Sequence, residues 1–252
     1  ALRLEQVLRF APEHRVAQKL LMKINMRAEN YAEVVPLCVR LLDQDSQQWD
    51  IKVNLLHALQ KLNQTEACLV LADQMLEKEP NNLELLGISA LAQRTAGDGE
   101  EALELFDRIL QNNGRHLAAL AGSGEIYQER ENWEKATPYY LELVRTHPEA
   151  EYYHNLVRCY AQMGEAGKAV IFMGQAASLY GEPEVSDWLR RDLEAFDLIL
   201  ETVEFRSFVD RIAGVETRKA IEDLRRREIE KKEPAIPGGL DLPIQPELKL
   251  RR

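Results

Sequence analysis

Apolar side chains fall in short groups spaced three and four residues apart along most of the chain, the spacing that places them on one face of an α-helix. Brief polar breaks separate the groups, and the breaks recur with a period of 34 residues. Units begin at Arg15, Trp49, Leu83 and Leu117 with no insertion or deletion, and a fifth begins one residue early, at Ala150. Position 32 of the successive units is Pro12, Ser46, Pro80, Gly114, Pro148 and Gly181, residue types that end a helix because proline lacks the N–H and glycine accepts a left-handed cap. Position 15 reads Glu29, Asn63, Gly97, Glu131 and Gly164, and three of these five are residues that reverse a chain between paired helices. Position 20 is small (Val34, Cys68, Ala102, Ala136, Ala169), as close helix approach requires. Position 24 is mostly larger (Cys38, Ala72, Phe106, Tyr140, Met173) and is expected to fill the space towards the next hairpin. Each unit is thus predicted to be two amphipathic helices with no core of its own, which stacking on its neighbours supplies.

On these residues the segment 15–183 resembles five tetratricopeptide repeats, whose pattern runs W-x2-L-G-x2-Y, A-x3-F and P. Unit four matches best, with Gly124, Tyr127, Ala136, Tyr140 and Pro148. Unit five adds Leu156, Tyr160, Gly164 and Ala169, while unit one departs most, with Met22 and Val34 at the close-approach positions. The resemblance implies an all-α fold, a right-handed α-solenoid of helical hairpins. In the same register Ala1 takes position 21, so 1–14 is expected to be the second helix of a unit whose first helix lies upstream.

Beyond Gly181 the pattern changes. Ser186 is an expected N-cap for a helix carrying Trp188, Leu189, Leu193, Phe196, Leu198 and Ile199, which with Phe205, Phe208 and Val209 caps the solenoid over 184–214. The stretch 215–252 is read as a highly charged helix followed by a Pro-rich tail, extended or disordered, in which Leu240, Leu242, Ile244, Leu248 and Leu250 alternate with polar residues as candidate docking anchors.

The formal charge of -10 disfavours a general nucleic-acid binder, since phosphate contacts need a basic face. No apolar run approaches the ~20 residues needed to span a bilayer. Cys38, Cys68 and Cys159 are odd in number and widely spaced, which suggests neither a disulfide framework nor a zinc site and fits a reducing, cytoplasmic compartment. An upstream signal or anchor would change that expectation to a periplasmic or membrane-tethered one. The five histidines show no metal-site spacing, and Gly122-Ser123-Gly124 falls inside a helix rather than on a strand-to-helix elbow, so no catalytic residue, metal or cofactor is expected.

The resemblance further implies an interaction scaffold that binds a peptide or helix in a concave groove lined by first helices, at unit positions 2, 5, 9, 12 and 13. Those positions supply Lys19, Lys23 and Arg27 from unit one, His57 and Lys61 from unit two and Arg94 from unit three, a basic strip suited to an acidic partner segment. Unit four supplies Glu125, Gln128 and Glu129 instead. The carboxylate clamp of chaperone-tail binders is matched only at Lys19 and Asn54, because Lys23, Glu84 and Ile88 stand at its remaining places. A second possibility is a docking or regulatory module of a larger enzyme whose catalytic part precedes Ala1.

Overall fold

The computed structural model describes residues 2–232, so the expectation for the tail anchors Leu240, Leu242, Ile244, Leu248 and Leu250 lies outside the described residues. Among the described residues there are fourteen α-helices, one 3-10 turn and no strand. After α1 (Leu2–Phe10), the first helices of the five hairpins are α2 (Arg15–Arg27), α4 (Trp49–Lys61), α6 (Leu83–Ala96), α8 (Leu117–Glu129) and α10 (Ala150–Gln162). Their second helices are α3 (Tyr31–Gln44), α5 (Thr65–Leu76), α7 (Gly99–Asn112), α9 (Trp133–Thr146) and α11 (Ala166–Tyr180). From α1 to α12 each helix packs on the next in chain order, the arrangement of a solenoid.

All five hairpins turn in the same way. The N–H groups of Asn30, Gln64, Asp98, Asn132 and Glu165 donate to the carbonyls of Asn25, Leu59, Gln93, Tyr127 and Tyr160 at 2.8 to 2.9 Å. Those of Glu29, Asn63, Gly97, Glu131 and Gly164 donate to Met26, Gln60, Arg94, Gln128 and Ala161, completing a Schellman motif each time. That geometry needs a left-handed residue, and all five adopt it, with φ of 56°, 54°, 94°, 54° and 71°. Two glutamates therefore stand where side chains are strained.

The core follows the repeat positions. Val34, Cys68, Ala102, Ala136 and Ala169 are fully buried, and Cys38, Ala72, Phe106, Tyr140 and Met173 are at most 1% exposed. Close approach is tightest in α8. A Cβ on Gly122 would stand 2.4 Å from the Phe106 ring of the preceding unit, and one on Gly124 would stand 3.0 Å from Tyr140. Helix starts are capped locally: His14 and His116 each accept an N–H through Nδ1, from Ala17 at 3.2 Å and Ala119 at 3.3 Å. Asn82 and Asn132 do the same through their amide oxygens.

The helix expected to start at Ser186 begins instead at Glu182, with Pro183 in its first turn, and runs as α12 (Glu182–Arg191). The Ser186 hydroxyl, freed from capping, shares a hydrogen bond with Thr217 at 2.9 Å. Helix α12 does not continue to Ile199. Asp192 leaves the helix (φ -128°, ψ 37°) with its carboxylate 2.7 Å from Arg158 of α10, and a 3-10 turn (Leu193–Phe196) follows. Gln162 donates to the carbonyl of Ala195 at 2.8 Å, which fixes that turn against α10. Helices α13 (Val203–Ile212) and α14 (Val215–Lys232) complete the described chain, and buried Trp188, Phe196 and Phe205 close the last hairpin.

Candidate partner-binding groove

Besides packing on their own second helices, α4 touches α6 and α6 touches α8. Helical geometry puts positions 2, 9 and 13 of each on one outward strip. Much of the charge on this surface is already matched between neighbouring units. Lys19 lies 4.0 Å from Asp50, His57 Nε2 lies 2.9 Å from Glu84, Arg94 pairs with Glu125, and Arg158 reaches Asp192. In the first three pairs the basic residue belongs to one unit and the carboxylate to the first helix of the next, and in the fourth the carboxylate is the residue that ends α12. The predicted groove residues Lys19, His57, Arg94 and Glu125 are thus tied into a ladder. Asn54 donates to the backbone carbonyl of Asp50 at 2.6 Å, and Ile88, at 4% exposure, is core.

Lys23, Arg27 and Lys61 behave differently: each is exposed, and none has an ion-pair partner among the described residues. Glu129 is exposed and likewise unpaired, while the Gln128 side-chain oxygen is buried without a partner. The basic strip thereby contracts to three cations on the first two units.

Of the ladder's acids, sequence reasoning named Glu125 as a groove residue and Glu84 only as breaking the clamp, and it missed Asp50 and Asp192, although Asp50 and Glu84 share unit position 2. Nor did it find the cluster at the far end, where His154 stacks on Trp188 at 5.1 Å and lies 3.6 Å from Asp192 beside Arg158. Burial, then the charges of Arg158 and Arg191, push the His154 pKa down to about 4. Burial pushes the Asp192 carboxyl up against the pull of the same two arginines. Unit positions 5 and 9, already assigned to the groove, were the available signal for His154 and Arg158.

Burial pushes the thiols of Cys38 and Cys159 up to about 12 and that of Cys68 to about 11, and all three are free. Among the described residues no group of three His, Cys, Asp or Glu is placed to hold a metal ion, and no helix is long and apolar enough to cross a membrane.

A solenoid of stacked helical hairpins presenting a first-helix surface defines the class. Within it, residues 93–158 match the family model described as tetratricopeptide repeat. A comparison with curated proteins gives no match. Among solved structures, MamA MSR-1 shares 17% identity with a TM-score of 0.55, covering 66% of this chain and 95% of that one. A tetratricopeptide repeat protein from Parabacteroides merdae ATCC 43184 shares 17% identity at TM-score 0.55, covering 82% and 88%. TTC0263, a thermophilic repeat protein of Thermus thermophilus, shares 18% at 0.50, covering 72% and 98%. At these identities the likeness is one of fold. The fold is that of a protein–protein interaction scaffold in general.

Proposed function

We propose that this chain is a non-catalytic scaffold that holds an acidic segment of a partner protein along its first-helix groove, at the end formed by units one and two. The observation that supports this reading is the contrast between paired and unpaired cations. Lys19 and Arg94 are each matched by a carboxylate of the next unit and Arg158 by Asp192 at the end of α12, while Lys23, Arg27 and Lys61 stand exposed with none among the described residues. Such cations attract Asp and Glu side chains by contacts that salt screens over ~8 to 10 Å. Glu84 and Ile88 leave no clamp for a terminal carboxylate, so internal acidic residues are the recognised feature.

The test uses a labelled oligoglutamate peptide titrated at several salt concentrations. Replacing Lys23, Arg27 and Lys61 together with Glu should weaken binding and flatten its salt dependence, whereas Lys19→Glu should change less because Asp50 already offsets that charge. Equal affinity for the triple variant would remove the groove reading.

A further inference from the structure

Between the second helices α3 and α5 lies an open apolar groove of about 540 Å³. Leu59 and Leu71 line its floor, and Val39 and Val70, 45% and 55% exposed, line its sides. Leu59, Ala67 and Leu71 hold unit positions 11, 19 and 23, and in units four and five those positions carry one arrangement twice. Tyr127 stacks on Tyr139 with ring centres 5.8 Å apart, and Lys135 lies 5.4 Å from the centre of the Tyr127 ring. Tyr160 stacks on Phe172 at 5.6 Å, and Lys168 lies 5.3 Å from the centre of the Tyr160 ring. Stacked rings bury a large apolar area, and a cation over a ring face adds electrostatic attraction. Unit two has aliphatic side chains and an alanine where two later hairpins place a ring pair under a lysine, and the groove is the space that results. No described residue of α1 or α2 lines it, whereas a first helix upstream of Ala1 would pack on those two helices, as α4 packs on α5 and α6.

The preceding unit selects the kind of ring. Burial, then the charge of Asp107, push the pKa of the Tyr139 hydroxyl up, so the carboxylate at position 25 of α7 stands near the phenol at position 23 of α9. Ahead of unit five, position 25 is Leu141, and the ring at position 23 is Phe172, which has no hydroxyl. Ahead of unit two, position 25 is Val39, which lines the groove together with Leu71. A phenol seated there would turn its hydroxyl from water towards Val39, a cost that a plain phenyl ring avoids. At the rim Glu66 is exposed and has no ion pair among the described residues, and Ala67 brings no cation of its own. We infer that the groove between α3 and α5 binds a phenylalanine side chain of a partner protein, its ring on Leu59 and Leu71 against Val39, with an adjacent lysine or arginine of the partner directed to Glu66. The partner thereby supplies from outside what positions 11, 19 and 23 supply within units four and five. This site is formed on the second-helix side and does not depend on the acidic-segment reading above.

The probe is an end-capped Gly-Lys-Phe-Lys-Gly peptide titrated into the intact chain, with the valine and leucine methyl groups followed by NMR. Saturable shifts are expected at Val39, Val70 and Leu71, at one peptide per chain. The same peptide with alanine in place of phenylalanine should bind about tenfold more weakly or worse, and the tyrosine form should fall between them. Val39→Asp, at an exposed position and checked for folding by circular dichroism, copies Asp107 and should bring the tyrosine peptide ahead of the phenylalanine one. Glu66→Gln should weaken the lysine peptide by about two- to fivefold and leave Gly-Gln-Phe-Gln-Gly unchanged. Leu59→Tyr with Ala67→Lys and Leu71→Phe rebuilds the unit-five arrangement and should abolish binding. Absence of saturable binding, equal binding of the phenylalanine and alanine peptides, or a preference that Val39→Asp leaves unchanged overturns the proposal. So does a dimer in sedimentation equilibrium that Val39→Asp abolishes, which would seat a second copy in the groove. Probe binding that appears only after removal of residues 233–252 also overturns it, by assigning the groove to this chain's own tail.

Discussion

Glu29 and Glu131 hold the left-handed position of a Schellman turn with φ of 56° and 54°, a conformation that costs a residue bearing a Cβ about 1 kcal/mol or more and costs glycine little. Glu29→Gly and Glu131→Gly are therefore expected to stabilise the chain by about 1 kcal/mol each, seen as a higher denaturation midpoint. A lower midpoint would mean that the glutamates make compensating contacts. The opposite substitution is costly at Gly122. An added methyl meets Phe106 at 2.4 Å, and overpacking of about 1 to 3 kcal/mol outweighs the roughly 0.5 to 1 kcal/mol that alanine gains over glycine in a helix. Gly122→Ala should lower the melting temperature, and Gly122→Ala with Phe106→Leu should recover part of the loss. Ala136→Leu, at a fully buried close-approach position, should destabilise for the same reason. The three buried thiols should react with a disulfide reagent only as the chain unfolds, because burial raises their pKa to about 11 or 12 and suppresses the thiolate. Rapid reaction of one equivalent in the native state would locate an opening hairpin.

At the scale of the element, the repeat period was readable because the same stereochemistry recurs. Helix-stopping residues at position 32 and small residues at position 20 report on backbone geometry, which local sequence encodes directly. The turns were only partly readable, since Glu29 and Glu131 give no propensity signal and adopt the left-handed state because five equivalent hydrogen-bond pairs impose it. The cap was misread at Ser186 because its helix start is set by Pro183, and its break by a contact with Arg158 in a different unit. The groove charges were read singly, while their neutralisation depends on pairs roughly a unit apart. One element carries a pH dependence. His154 titrates near 6.5 when unfolded and near 4 in the fold, so the unfolded chain takes up that proton first. Its contribution is full above about pH 6.5 and is lost as pH falls towards about 4, by about 3 kcal/mol at most. Asp192 has the opposite sign, because a raised carboxyl pKa favours the fold in acid, and it offsets part of this loss. His154→Gln should flatten the fall in melting temperature between about pH 7 and about pH 5, and an unchanged slope would assign the dependence elsewhere.

At the scale of the whole molecule, each hairpin contacts only its neighbours, so stability is distributed along one dimension and the ends open first. Helix α1 has no buried residue and should lose hydrogen-exchange protection before the central helices. The ladder of cations and carboxylates also has a mechanical meaning. Bridges tie unit one to two, two to three, three to four, and five to the cap, whereas among the described residues no ion pair joins α8 to α10. The period shortens by one residue at that same junction, where the fifth unit begins at Ala150. The apolar core nevertheless runs unbroken across that junction, from Leu120 of α8 through Tyr153 and Met173 to Ile221 of α14, so the fourth and fifth units and the cap are joined by packing where the ion pairs stop.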